Sequence, residues 1–192
     1  MGTEFELKYR ATAEVHAAIL TVYPQLSPIT METAYYDDPD QNLSRRKWTL
    51  RRRLENGISV CTLKTPGTGS RCGEWETQCD TIENAISALS SLGAPPELAE
   101  YAAAGLHQIC AARFTRLAGK VVLPQCTVEL ALDQGLLLGG SREEPLCEIE
   151  VELKSGSEEA ATEFARQLAE TYGLVPENRS KAQRAFTLAA QV

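Results

Sequence analysis

The feature that most limits what this chain can fold into is a two-residue alternation that puts charge on one side of nearly every extended segment. Residues 3–10 set Glu4, Glu6 and Lys8 against Phe5, Leu7 and Tyr9. Residues 148–154 set Glu148, Glu150, Glu152 and Lys154 against Ile149, Val151 and Leu153. The same parity recurs in Glu129 and Asp133 against Val128, Leu130 and Leu132, in Glu74, Glu76 and Gln78, in Arg51 and Arg53, and in Thr62 and Lys64. Successive side chains of a strand point to opposite faces, so each segment reads as a strand with one apolar and one ionic face. For any single strand the simplest reading is an antiparallel sheet with one solvated face. Solvated faces usually mix Ser, Thr, Gln and Lys, whereas here carboxylates and guanidinium groups recur from strand to strand. About eight strands also suffice to close a sheet into a small barrel. With the apolar faces outward under helices, the charges would line the inside. That is tolerable only if the interior is wet, paired and functional. The expected fold class is therefore α+β, mainly β, and a closed barrel lined with charge stands beside an open sheet with one solvated face as a reading of the alternation.

Strands are expected near residues 3–10, 29–37, 47–54, 58–65, 73–80, 108–118, 126–133 and 146–154. Asn56-Gly57 is a strong hairpin turn. Helices are expected at 13–23, stopped by Pro24, at 82–92 and 96–105, and at 157–172, with Ser157 as N-cap and Gly173 beyond the end. Residues 175–192 read as a tail. Pro66-Gly67-Thr68-Gly69-Ser70 lacks the Lys-Ser/Thr of a phosphate-binding P-loop and reads as a β-hairpin connection. All 192 residues are expected to form one domain.

Composition narrows the function. The net charge is −7, without the basic balance of a nucleic-acid binder. No apolar run is long enough to span a bilayer and the first ten residues carry no signal-peptide core, so a cytoplasmic location without membrane attachment is expected. Six cysteines form no CxxC pair and only two histidines, His16 and His107, are present; free thiols fit better than a zinc site or a disulfide framework. Any anionic ligand must then be met by a local cluster of cations or by metal ions.

The candidate interior holds nine acids, Glu4, Glu6, Glu74, Glu76, Glu129, Asp133, Glu148, Glu150 and Glu152, against Lys8, Arg51, Arg53, Lys64, Arg116 and Lys181. A polyphosphate could not enter such a space alone. With a hard divalent cation such as Mg²⁺, which binds through carboxylates and phosphate oxygens, it could. Arg and Lys would hold the remaining phosphate charge. This is the division of labour of phosphoryl transfer, in which catalysis is mainly positioning and charge neutralisation.

The motif Glu4-x-Glu6-x-Lys8 resembles the ExExK signature of the CYTH superfamily, the triphosphate tunnel metalloenzymes. The resemblance runs on through YYDDP at 35–39, LRRR at 50–53, TLK at 62–64, GEWE at 73–76, FTR at 114–116, ELALDQG at 129–135, EPLCEIEVEL at 144–153 and SKAQR at 180–184. The last three are most similar to the bacterial inorganic triphosphatase branch. The resemblance implies a closed eight-stranded antiparallel β-barrel, or tunnel, with helices packed outside, in which Glu4, Glu6, Glu148 and Glu150 bind Mg²⁺ or Mn²⁺. It implies that Lys8, Arg51, Arg53, Lys64, Arg116 and Lys181 grip the phosphates. Glu129 and Lys8 are the catalytic candidates, Glu129 serving a second metal or its water. Two positions depart from the family pattern: Cys72 stands where an Arg is frequent, and Ala118 where a basic residue is frequent. The implied activity is hydrolysis of inorganic tripolyphosphate to pyrophosphate and phosphate, with a small-molecule triphosphate as the partner and binding of longer polyphosphate as a further expectation. The alternatives are a nucleoside or thiamine triphosphatase, an adenylate cyclase, or a non-catalytic polyphosphate-binding module. Trp48 could stack on an organic group, whereas Trp75, opposite in parity to Glu74, is expected to pack outward.

Overall fold

The computed structural model describes residues 2–67 and 71–190. In chain order the elements are β1 (Gly2–Arg10), α1 (Ala13–Val22), β2 (Ser27–Asp37), α2 (Asn42–Arg45), β3 (Thr49–Glu55), β4 (Ile58–Pro66), β5 (Arg71–Gln78), α3 (Ile82–Ser91), α4 (Glu97–Ala103), β6 (His107–Val122), β7 (Cys126–Gly139), β8 (Arg142–Gly156), α5 (Glu158–Tyr172), β9 (Val175–Pro176) and α6 (Lys181–Ala190). The strands run β5-β4-β3-β2-β6-β7-β8-β1, and β1 pairs back onto β5 with Glu4 opposite Cys72, which closes the sheet into an antiparallel barrel of eight strands. Closure leaves no long unpaired edge. β9 adds only Val175 and Pro176 alongside β1. Asn56 and Gly57 both have positive φ (49° and 86°), the conformation a two-residue hairpin between β3 and β4 requires. In the connection from β4 to β5, residues 68–70 lie outside the described residues.

The apolar faces point outward, as the alternation predicts. Val128, Leu130, Leu132, Ile149 and Val151 are buried beneath Ile19 of α1 and Phe164 and Leu168 of α5. Leu50, Leu63 and Trp75 are buried beneath α3 and α4, through Ile82, Leu89 and Leu98. α5 begins and ends where expected: the Ser157 hydroxyl accepts from Ala160 N at 3.2 Å, and Gly173 adopts φ 64°. No described helix is long and apolar enough to cross a membrane.

Three expectations need correction. β6, β7 and β8 run for 16, 14 and 15 residues, well beyond the expected 108–118, 126–133 and 146–154. The charged alternation stops at Asp133 and Glu148, but the inward series continues with small and apolar residues, Gly135 and Leu137 on β7 and Leu146 on β8. The second correction is α2. The buried carboxylate of Asp37 accepts from the backbone N–H of Leu43 and of Ser44, each at 3.0 Å, and Asp38 accepts from Asn42 N at 2.6 Å. The aspartates of YYDDP thus fold the β2–β3 connection into a short turn of helix, and β3 starts only after Lys47, whose φ is 59°.

The third correction is the tail, which is helical from Lys181 to Ala190. α6 packs on β6, β7 and β8, and Ala185 is buried with Met31, Tyr35, Phe114, Leu137 and Leu146. Leu137 and Leu146 share the inward parity of Asp133 and Glu148, so α6 closes the barrel interior on that side. Gly139 makes this fit possible, since a Cβ there would lie 2.4 Å from the Ala185 carbonyl oxygen. The helix start is a capping box: Gln183 N donates to Ser180 Oγ at 3.1 Å and Ser180 N donates to Gln183 Oε1 at 2.8 Å.

Candidate active site

Inward-facing side chains of the strands and of α6 surround a cavity of about 1140 Å³. On β3, Arg51 and Arg53 face Tyr35 and Thr33 of β2. Their side chains are only 12% and 11% exposed. Arg51 lies 3.9 Å from Glu74, and Arg53 lies 3.1 Å from Glu55. The buried Nε of each guanidinium has no hydrogen-bond partner among the described residues. Burial, and then the like charges of Arg51 and Arg116, lower the pKa of Arg53. A buried guanidinium beside like charges and with an unused donor favours an anion. Arg52, between them, points to the other face and donates to Ser59 Oγ at 3.0 Å.

The carboxylates fall into two rows. In the cavity row, Glu6 of β1 stands directly opposite Glu152 of β8, which stands opposite Glu129 of β7. Like charges facing each other across a ladder destabilise the pair. Glu6 is pushed up in pKa by burial and then by the charges of Glu150 and Glu4, against Lys8, 3.5 Å away. Burial likewise raises Glu152, with the charges of Glu4 and Glu129 adding to it and Lys154 opposing. Glu4 differs: burial opposes its charged form, but Lys64, in direct contact, outweighs this and lowers its pKa, helped by the Cys72 thiol at 3.2 Å.

In the buried row, Glu148 stands opposite Asp133 of β7, and Asp133 opposite Arg116 of β6. Oxygens of Asp133, Glu148 and Glu150 lie within 4.8 Å of one another, a convergence that could hold a metal ion. Here the Lys181 ammonium already contacts all three, at 2.8, 2.8 and 2.6 Å. Arg116 grips Asp133 bidentately at 2.8 and 2.7 Å and also meets Glu150. Arg184 meets Glu148 and donates from Nε to Glu144 at 3.0 Å. Against the cost of burial, Lys181 and Arg116 hold Glu150 well below the usual carboxylate range.

Of the residues read from the sequence, Glu4, Glu6, Lys8, Arg51, Arg53, Lys64, Arg116, Glu129, Glu150 and Lys181 all border the cavity. Glu148 does not: it is 1% exposed and bound by Lys181 and Arg184. Its ladder partner on β1 is Arg10, while Glu152 is the residue opposite Glu6. Sequence reasoning gave Arg184 no role, although its i,i+3 spacing from Lys181 puts both on one helix face. His16 is buried in α1 with Nε2 3.1 Å from the Glu148 carbonyl oxygen, a structural contact on the barrel exterior. All six cysteines are free.

The donor set at the cavity row is carboxylate oxygen, with no imidazole among its contacts, which suits hard divalent cations such as Mg²⁺ and Mn²⁺.

This geometry agrees with comparisons to known proteins. The profile of the CYTH domain matches residues 2–186. An inorganic triphosphatase of Haemophilus influenzae is 31% identical over 159 residues, which cover 82% of this chain and 45% of that protein, so the chain spans about half its relative's length. Among solved structures, a putative adenylate cyclase from Bacillus halodurans superposes with a TM-score of 0.69 at 21% identity, covering 96% of this chain and 98% of that one. A putative adenylyl cyclase from Hippeastrum, described as having a dominant triphosphatase activity, superposes with a TM-score of 0.68 at 14% identity, covering 97% and 95%. The chain belongs to the CYTH domain family, and its closed β-tunnel is the fold it has in common with these structures.

Proposed function

We propose that this chain hydrolyses a triphosphate inside the tunnel, with inorganic tripolyphosphate as the substrate and a divalent metal as cofactor. The observation that carries this reading is a pairing of opposites: buried Arg51 and Arg53 with unused donors, beside a row of carboxylates short of cations. Such a space accepts an anion and a cation together better than either alone. The Haemophilus relative's designation as an inorganic triphosphatase supports the same chemistry.

In this reading Lys8, Arg51, Arg53 and Lys64 hold the phosphate oxygens, with Arg116 and Lys181 bordering the deeper end of the chain of phosphates. Glu4, Glu6 and Glu150 hold the metal, and Glu152, opposite Glu6, takes the place the sequence resemblance gave to Glu148. A bound Mg²⁺ or Mn²⁺ would neutralise phosphate charge and polarise the scissile group. Glu129 orients a water and accepts its proton. The water oxygen bonds to a terminal phosphorus as the bridging P–O bond breaks, and phosphate and pyrophosphate leave. The guanidinium groups stabilise charge on the oxygens as that bond breaks.

An organic triphosphate would need a surface for its non-phosphate part. Trp48 borders the cavity, but its ring is engaged by Tyr101, at 6.2 Å between centroids, and by the Arg46 guanidinium at 5.5 Å. That occupancy favours the inorganic substrate. The test is phosphate release from tripolyphosphate, ATP and thiamine triphosphate side by side, with Mg²⁺, Mn²⁺ or chelator. Metal-dependent release, fastest from tripolyphosphate, is expected; faster turnover of ATP or thiamine triphosphate would move the substrate to the organic class, and release undiminished by chelator would remove the metal.

A further inference from the structure

The β7–β8 ladder contains one irregularity, and it falls beside the cavity row. Val128 faces Leu153 and Thr127 faces Ser155, so Lys154 has no partner across the ladder. This is a β-bulge, a device that re-aims a side chain and is common next to active sites. Lys154 shares the face of Glu152 by alternation, and its ammonium lies 2.8 Å from Glu152 and 3.7 Å from Glu129, two of the three carboxylates that face one another across β1, β8 and β7. The Lys154 side chain is 35% exposed, which leaves it room to turn toward solvent, in contrast to Lys181 at 9%.

We propose that Lys154 is a built-in counter-cation of the Glu129–Glu152 pair that competes with a divalent ion and so sets the metal concentration at which the tunnel loads. Without metal, the ammonium relieves the repulsion within the row. A divalent ion drawn to the same carboxylates must displace it, and its positive charge opposes the ion even after it moves aside. Lys154 is therefore a positioning residue that tunes metal affinity. The inference rests on the proposed function, in which Glu152 is one of the metal-binding groups and Glu129 stands beside it.

The experiment is titration of the full chain with Mn²⁺, followed by electron paramagnetic resonance in the absence of any phosphate. It compares the native protein with Lys154→Met, Lys154→Arg and Glu4→Gln, each checked for an unchanged melting curve. A unit charge a few ångströms from a divalent ion in largely solvated surroundings corresponds to roughly tenfold in affinity. Lys154→Met should accordingly bind Mn²⁺ roughly tenfold more tightly than the native chain, and Lys154→Arg, which keeps the charge, should match it. A purely structural lysine would shift the melting curve and leave Mn²⁺ affinity alone. Mn²⁺ binding that is weakened in Glu4→Gln but no tighter in Lys154→Met overturns this inference and leaves the metal reading standing. Absence of Mn²⁺ binding in the native chain and in Lys154→Met alike overturns both.

Discussion

The two rows of carboxylates cross β7 and β8 with the same parity, and β1 adds Glu6 to one and Arg10 to the other, yet they are neutralised in opposite ways. In the buried row, Asp133 and Glu148 are 0% and 1% exposed, and each is bound by two cations drawn from Arg116, Lys181 and Arg184. In the cavity row, Glu6, Glu152 and Glu129 oppose one another with Lys8 at 3.5 Å and Lys154 at 2.8 and 3.7 Å as their counter-ions, and burial raises Glu6 and Glu152. A convergent set of acids is thus not in itself a metal site. Among the described residues, the trio whose oxygens converge closely enough for one already has the Lys181 ammonium against all three. The neighbouring row sets like charges opposite one another with fewer counter-ions, a repulsion that a divalent ion would relieve. The buried row ties α6 to the barrel, and the cavity row is the surface on which the proposed reaction is placed.

The strongest way to break this contrast is to remove α6. A chain ending at Leu174 loses Lys181, Arg184 and Ala185 together, leaving buried carboxylates without their cations and the barrel interior open on that side. It should fail to give a cooperative melting transition at neutral pH. The single change Lys181→Met should cost about 3–5 kcal/mol in denaturant unfolding, the usual penalty for orphaning buried charges. A truncated chain that melts as the full chain does would show that the tie between the buried row and α6 does not hold the fold.

Substitutions on β3 sharpen the contrast at intermediate size. Arg53→Ala should weaken tripolyphosphate binding by about 1.5–3 kcal/mol in calorimetry while leaving unfolding free energy unchanged or improved. Its charge is opposed by burial and by Arg51 and Arg116, so its loss removes an unfavourable term. Arg52→Ala, on the opposite face, should change substrate binding by less than about 0.5 kcal/mol. The reverse ranking would exchange the two faces of β3.

The smallest effect concerns pH in the metal-free protein. Glu6 has a folded pKa raised above its ordinary value of 4.5, so its ionisation costs stability at neutral pH and the cost is relieved as pH falls through the raised value. Glu150 is lowered well below 4.5, so its contribution is present above the unfolded pKa and is lost as pH falls through its folded value. Glu6→Gln should therefore be more stable than the native chain at neutral pH, with the two converging in acid. A Glu6→Gln variant that is less stable at neutral pH would mean that Glu6 is well paired.

Much of this was legible in the sequence, for a physical reason. The period of a strand is two, so parity alone assigns Glu4, Glu6, Arg51, Arg53, Lys64, Glu129 and Glu150 to one face and Trp75 to the other. What parity cannot give is height along the barrel. Glu148, Glu150 and Glu152 are equivalent by alternation, and only the cross-strand register, Glu6 against Glu152 and Arg10 against Glu148, separates a cavity residue from one of the buried row. α6 was obscured because Lys181 and Arg184 are buried among its apolar positions, Ala182, Ala185, Phe186 and Leu188, and so interrupt the stripe that would mark it. Its capping box, Ser180 and Gln183, was readable. The end of β7 was missed because the charged pattern gives way to Gly135 and Leu137, and Leu137 packs with Ala185 of α6 rather than facing water.

The most direct test of the account is a crystal of the native chain grown with Mn²⁺ and a non-hydrolysable triphosphate, with the metal located by its anomalous scattering. The account predicts Mn²⁺ bounded by Glu4, Glu6, Glu150 and Glu152, phosphate oxygens on Arg51 and Arg53, and Lys181 still bridging Asp133 and Glu148. Mn²⁺ seated among Asp133, Glu148 and Glu150 with the Lys181 ammonium expelled would contradict it.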